Sequence, residues 1–222
     1  MDQATLLWQE RQSDSSFVES VWTSSTQAST SRAVIADPCI SITLVKSNKS
    51  TEVIIAGPKT KPSLQVLSAG YTSMTIRLKP GVFLKNFLTS ELTNATVLFP
   101  ADDKARFQFG KKRFQFPDFD HAEQLIEDLH VTGYLGFELP QSVYGQSPRT
   151  YSRQMRRIIG LSPYKLYQLQ RMHQALRLLK QGATAVDVAT ELAFTDQAHF
   201  VRASRQFFGY TPGQLSRLPQ SP

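Results

Sequence analysis

Two stretches of the chain carry arginines at matching places and end alike. Residues 147–163 and 196–212 each close on Gly, one residue, Ser or Thr, then Pro. One constant offset relates Arg153 to Arg202, Arg156 to Arg205, Gly160 to Gly209, Pro163 to Pro212 and Leu166 to Leu215. Repetition of this kind marks a structural unit used twice. Each unit reads as a basic amphipathic helix stopped by Gly, with Pro opening the next helix. Guanidinium groups on one helix face can hold phosphates or the edge of guanine. The duplication therefore points to two similar stretches of nucleic acid being gripped rather than to a reaction. No Gly-rich phosphate loop and no nucleophile elbow occurs.

The charge agrees with that reading. The net charge is +7. Residues 141–222 hold eleven Lys and Arg against three acids, Asp187, Glu191 and Asp196. The first 140 residues are close to neutral. A phosphate backbone is drawn to the repeat-bearing end and is indifferent to the other. Hydrophobic content of 41% is enough for a globular core. No apolar run reaches the ~18–20 residues that span a bilayer. The first ten residues have neither the basic start nor the apolar run of a signal peptide. Cys39 is the only cysteine. It reads as a small buried residue, and one thiol fits a reducing, cytoplasmic setting.

The elements that must position the arginines follow from pattern. Residues of about 15–115 predict short strands: Phe17–Trp22, Cys39–Val45, Glu52–Ala56 and Ser73–Leu78, with a turn at Asn48–Ser50. This suggests a small antiparallel barrel or sandwich. Gly81–Leu88 breaks the pattern and reads as a short helix. Phe107, Phe109, Phe114, Phe116 and Phe119 read as packing near a domain boundary. A helix over 121–131 takes Asp118 or Asp120 as its cap. Leu166, Leu169, Met172 or His173, Leu176 and Leu179 form the apolar stripe of a helix over 163–181, stopped by Gly182. At ~1.5 Å per residue it is a rod of about 28 Å, near one turn of B-DNA at roughly 34 Å. Ala185–Leu192 and Gln197–Phe208, joined by Ala193–Thr195, form a helix-turn-helix. Val186, Ala189 and Leu192 are expected to face inward. Asp196 or Thr195 caps the second helix.

The stretch Val188–Pro212 resembles the signature of the AraC/XylS transcription regulators. Ser147–Leu179 is similar to that family's first recognition helix and linker helix, so the resemblance covers about residues 140–217. Asp37–Cys39, Gly57–Pro62 and Leu78–Gly81 are similar to a β-rich domain found ahead of such regions. The resemblance implies an α+β multidomain chain: a small antiparallel β barrel or sandwich over 1–117 serving as sensor or dimerisation domain, and an all-α tandem helix-turn-helix over 118–222. It implies that Arg149, Ser152 and Arg153 face bases from the first recognition helix, and Gln197, Ala198 and Arg202 from the second. Arg suits guanine, Gln suits adenine, and Ala198 can touch only a thymine methyl. Arg156 and Arg205, a turn further on, are expected on phosphates. His199 stands where the family often has His and reads as a capping or packing residue.

Three positions depart from the family. Ala193 stands where Gly is frequent, at a left-handed turn. Ser204 stands where an aromatic core residue is frequent. Leu135–Gly145, before the first recognition helix, is short and interrupted by Pro140. Tyr151, Met155 and Ile158 are expected to pack the first unit nonetheless.

The expected function is a sequence-specific DNA-binding transcription regulator without catalytic activity, cofactor or metal. Its partner is double-stranded DNA. A small-molecule effector of unknown identity, an RNA polymerase contact and a homodimer are compatible with that reading, and a membrane is not. Phe17, Trp22, Tyr71, Phe83 and Phe87 read as core, with a ligand pocket as the alternative. Two rivals are a protein-interaction regulator with a degenerate first unit and a metal-dependent cupin-like enzyme fused to a DNA-binding module. The second rival needs clustered ligands. His121, His130, His173 and His199 all lie outside the predicted barrel.

Overall fold

The computed structural model describes residues 6–138 and 147–217. The N-terminal part is built on an eight-stranded antiparallel sheet in the order β1-β2-β7-β4-β5-β9-β10-β11. These strands are β1 (Leu6–Gln12), β2 (Val18–Thr26), β4 (Ser41–Lys46), β5 (Thr51–Ala56), β7 (Thr72–Leu78), β9 (Thr96–Ala101), β10 (Arg106–Phe109) and β11 (Lys112–Gln115). Two ribbons accompany it: β3 (Thr30–Val34) with β6 (Ser63–Leu67), and β8 (Val82–Leu84) with β12 (Leu135–Phe137). The strands expected from alternation are all present. Ser47 N–H donates to Ser50 C=O at 3.0 Å in the β4–β5 turn.

Alternation divides the sheet into two working faces. Val21, Ile42, Leu44, Val53, Ile55, Met74 and Ile76 form the first core with Phe107, Phe109, Phe114 and Phe116. The aromatic stretch is thus packing, as its composition suggests. The other face presents Ser20, Trp22, Ser41, Thr43, Thr75 and Arg77.

The helices are α1 (Thr89–Leu92), α2 (Glu123–Val131), α3 (Pro148–Ile159), α4 (Pro163–Lys180), α5 (Ala185–Glu191), α6 (Gln197–Phe208) and α7 (Pro212–Leu215). Three expectations are corrected. Gly81–Leu88 is not a helix: its residues 82–84 form β8, paired with β12. Neither Asp118 nor Asp120 caps α2. Its N-cap is Ala122, without a side-chain bond, and Asp118 instead accepts from the backbone N–H groups of Asp120 and His121. Finally, α2 buries Leu125, Ile126 and Leu129 in the first core, not among the C-terminal helices with which the sequence groups it. Arg11 fastens α2 to β1 through a paired contact with Glu123, its Nη1 and Nη2 each donating at 2.7 Å. That hydrogen-bonded pairing, against partial burial, holds the Glu123 carboxyl down at about 2.

The second core joins α3 to α7 and takes in Ala36 from the N-terminal part. Met155 and Ile158 are buried there and Tyr151 packs against them, as expected. Val186 is corrected: it is 55% exposed, while Val188, Ala189 and Leu192 are buried. The interrupted segment around Pro140 lies outside the described residues; residues 135–137 just before it form β12. Among the described residues, no helix is long and apolar enough to cross a membrane.

Candidate nucleic-acid interface

Both recognition helices are delimited by the same devices. Ser147 accepts from the N–H of Thr150 at 3.2 Å to cap α3, and Pro148 opens it. Asp196 accepts from the N–H of His199 at 2.6 Å to cap α6. Such caps satisfy backbone donors that have no partner within the helix. Both helices end on a left-handed glycine, Gly160 and Gly209, each at φ 80°. The linker helix between them starts with Ser162 accepting from Lys165 N–H at 3.3 Å. Thr184 and Asp187 close a reciprocal capping box at the start of α5.

The apolar faces then fix which side chains point outward. On α3, Met155, Ile158 and Ile159 are buried, which leaves Arg149, Arg153 and Arg156 along an exposed stripe with Ser152 half-buried beside it. On α6, Phe200, Ala203, Ser204, Phe207 and Phe208 are buried, leaving Gln197, Ala198, Arg202 and Arg205 exposed. Within each helix the expected residues therefore share one open face. Arg149, Arg153, Arg156, Arg202 and Arg205 have no hydrogen-bond or ion-pair partner among the described residues. Their neighbour Arg157 is different, held by Glu138 at 3.1 Å.

Several basic and polar residues prove structural. Arg171 on α4 donates to Leu192 C=O at 2.7 Å and lies 3.7 Å over the Phe194 ring, tying α4 to the α5–α6 turn. Lys165 lies 4.2 Å over Phe207. Burial pulls the Lys165 ammonium below its ordinary range, with Lys61 nearby adding to the effect. His199 packs edge-on against Phe194 at 5.5 Å, the packing role expected of it. Ser204, fully buried, donates its hydroxyl to Tyr210 C=O at 2.7 Å. Ala193 sits in the turn at φ 54°, the left-handed conformation anticipated there.

A cavity of about 1380 Å³ separates the open face of the sheet from the C-terminal helices. Trp22, Thr43, Thr75 and Arg77 line it from the sheet, with Tyr71, Arg32 and Lys59 beside them, and His173, Arg177 and Ala193 line it from the C-terminal part. Of the five aromatics read as core, Trp22 and Tyr71 line this cavity, whereas Phe17 and Phe87 pack on the first core. Asp37 bridges to Arg77, whose Nη2 donates at 3.0 Å. Burial raises the Asp37 carboxyl, but Arg77 and His173 outweigh it, and the net position is below its ordinary value. Burial raises the Cys39 thiol well above its usual range, with Asp37 adding to the effect. Trp22 Nε1 and Arg171 Nη2 are buried donors without a hydrogen-bond partner among the described residues.

Comparison with known proteins bears on this geometry directly. Residues 142–217 match a helix-turn-helix domain family, and residues 15–97 match a domain family of unknown function. No curated protein matches the chain. Among solved structures, the chain is similar to apo ToxT K231A from Vibrio cholerae, at 10% identity and TM-score 0.45, over 93% of this chain and 98% of that one. It is also similar to unsaturated fatty acid bound ToxT from the same organism, at 10% identity and TM-score 0.44, over 99% and 98%. The helix-turn-helix match falls on the duplicated, arginine-bearing segment and takes in both recognition helices. Residues 142–217 are thus an AraC-type helix-turn-helix domain.

Proposed function

We propose that this regulator reads two adjacent sub-sites of duplex DNA, one with α3 and one with α6. Arg149, Ser152 and Arg153 face the bases of one sub-site, and Gln197, Ala198 and Arg202 those of the other. Arg156 and Arg205 hold phosphates and fix the register without reading sequence. One observation carries the reading: matching arginines on two duplicated helices are exposed and, among the described residues, have no hydrogen-bond or ion-pair partner, while Arg157 is paired with Glu138. The proposal gives the chain no catalytic role and places it in the cytoplasm with its target. It also takes α2 and β12 with the N-terminal unit, because α2 lies in the first core and β12 pairs with β8.

Selection of bound fragments from random DNA by the pure protein tests this, followed by Kd measurement on the enriched site. Arg153→Ala and Arg202→Ala should each cost ~1–3 kcal/mol and relax preference at one base pair. Arg156→Ala and Arg205→Ala should weaken all sequences alike. With six to eight phosphates contacted, log K should fall against log salt with a slope of roughly −5 to −7. Absence of any enriched motif, or reader variants that bind as tightly as the parent, overturns the assignment and favours a protein-interaction role.

The same reading makes the cavity an effector site, selective for a small acid. Arg32, Lys59 and Arg77 line it beside Asp37, whose carboxylate is paired with Arg77, and Glu10, Glu19 and Glu191 also line it. Burial lowers the Lys59 ammonium and the crowding of Arg32 lowers it further. An anion there relieves like-charge repulsion and meets buried donors. Calorimetric screening of small carboxylic acids and phosphate esters checks it, with Lys59→Ala expected to lose the heat signal.

A further inference from the structure

The two copies of the repeat are held by the N-terminal domain at equivalent ends. Besides its share of the second core, α3 packs against α1 and β8. The hydroxyl of Thr93, just after α1, lies 3.1 Å from Gly160 C=O and 3.2 Å from Thr89 C=O. The approach is close enough that a Cβ on Gly160 would sit 2.7 Å from Thr89 C=O. At the other copy, Ala36 N–H donates to Phe207 C=O at 2.9 Å, in the last turn of α6. The carbonyl of the same residue accepts from His173 Nε2 of α4 at 2.7 Å. Ala36 is fully buried, inside the second core. Pro62 reaches the cap at Gly209, where an added Cβ would lie 3.6 Å from its ring.

We infer that the N-terminal domain is a two-point seat that fixes the spacing of the recognition helices, and that Thr93, Ala36 and His173 are positioning residues for the operator spacing the protein accepts. The inference rests on the DNA-binding reading above. A linker helix alone leaves the first recognition helix free to pivot at Gly160–Ser162. The seat on α1 and β8 removes that freedom, and the Ala36 clasp fixes the other end. One inserted base pair moves the second sub-site by about 3.4 Å and rotates it by about a tenth of a turn. Two helices held by one rigid sheet domain cannot follow both displacements. Loosening either seat lets them.

The test uses the full chain and three DNA duplexes: the selected site, and versions with one base pair inserted or deleted between its halves. The parent should bind the shifted duplexes at least tenfold more weakly. Thr93→Val and His173→Leu, singly and together, should shrink that penalty to about threefold or less while leaving binding to an isolated half-site unchanged. Thr93→Ser and His173→Gln, which keep the donors, should restore the parental penalty. A parent indifferent to spacing overturns the inference, and so do folded Val and Leu variants that keep the full penalty. Should one variant not fold, the other carries the comparison. A parent that selects no DNA motif overturns the DNA-binding reading instead, which is a separate and recognisable result.

Discussion

At Ala193 the chain holds a residue with a Cβ at φ 54° in the turn between α5 and α6. For an L-residue with a side chain this conformation costs of order 1–2 kcal/mol relative to the right-handed region. Glycine escapes the clash but loses more chain entropy on folding. The net expectation for Ala193→Gly is a stabilisation of about 1 kcal/mol, read from chemical denaturation. A destabilised Ala193→Gly protein would show that the methyl group packs usefully against its surroundings. The position of this strain was legible through the family resemblance, which has Gly frequent at this turn. Ser204 was legible only in part. Its core position followed from the family resemblance, but the partner that makes a hydroxyl tolerable there, Tyr210 C=O, depends on how the chain returns after Gly209. Arg171 was not legible, since an arginine off the apolar stripe reads as solvated until Leu192 and Phe194 are placed beside it.

At the level of elements, helix α6 depends on its cap. Asp196 satisfies a donor of the first turn, the turn that carries Gln197 and Ala198. Asp196→Ala should cost about 1 kcal/mol of stability. It should also loosen Gln197, so that binding becomes less sensitive to the base pair opposite it. Asp196→Ser should keep both properties. Equal loss of base discrimination in the Ser and Ala variants would mean that the carboxylate acts through something other than capping. Long periodic elements such as α4 were readable from sequence because their stripe repeats over many turns. Element β8 was not, because three residues have no measurable period and their partner strand lies beyond α2 in the chain. In α2, Leu125, Ile126 and Leu129 carry no label for the core they enter. Short, non-local pairings of this kind decide where the N-terminal unit ends.

For the molecule as a whole, the contact between sheet domain and second helix-turn-helix runs through His173. Its ring stands edge-on to Phe208 at 5.7 Å while Nε2 holds Ala36 C=O. Burial lowers the pKa of His173 from the ordinary 6.5; Asp37 and the bond to Ala36 oppose this, and Arg77 and Arg177 reinforce it. The sign of the linkage follows. With the folded value below the unfolded one, the unfolded chain takes up a proton first as pH falls. The contribution of this histidine is therefore complete above about pH 6.5 and is lost progressively as pH falls through the folded value. Denaturation midpoints measured from pH 7.5 down to 5 should decline in the parent. The decline should be shallower in His173→Gln, which keeps a donor for Ala36 and cannot titrate. Glu123 does not confuse the comparison, because with its carboxyl at about 2 its contribution is lost only as pH falls below its ordinary 4.5. If parent and His173→Gln lose stability with the same slope over that range, another group carries the pH dependence of the interface, and the neutral imidazole is not what keeps the second recognition helix on its seat.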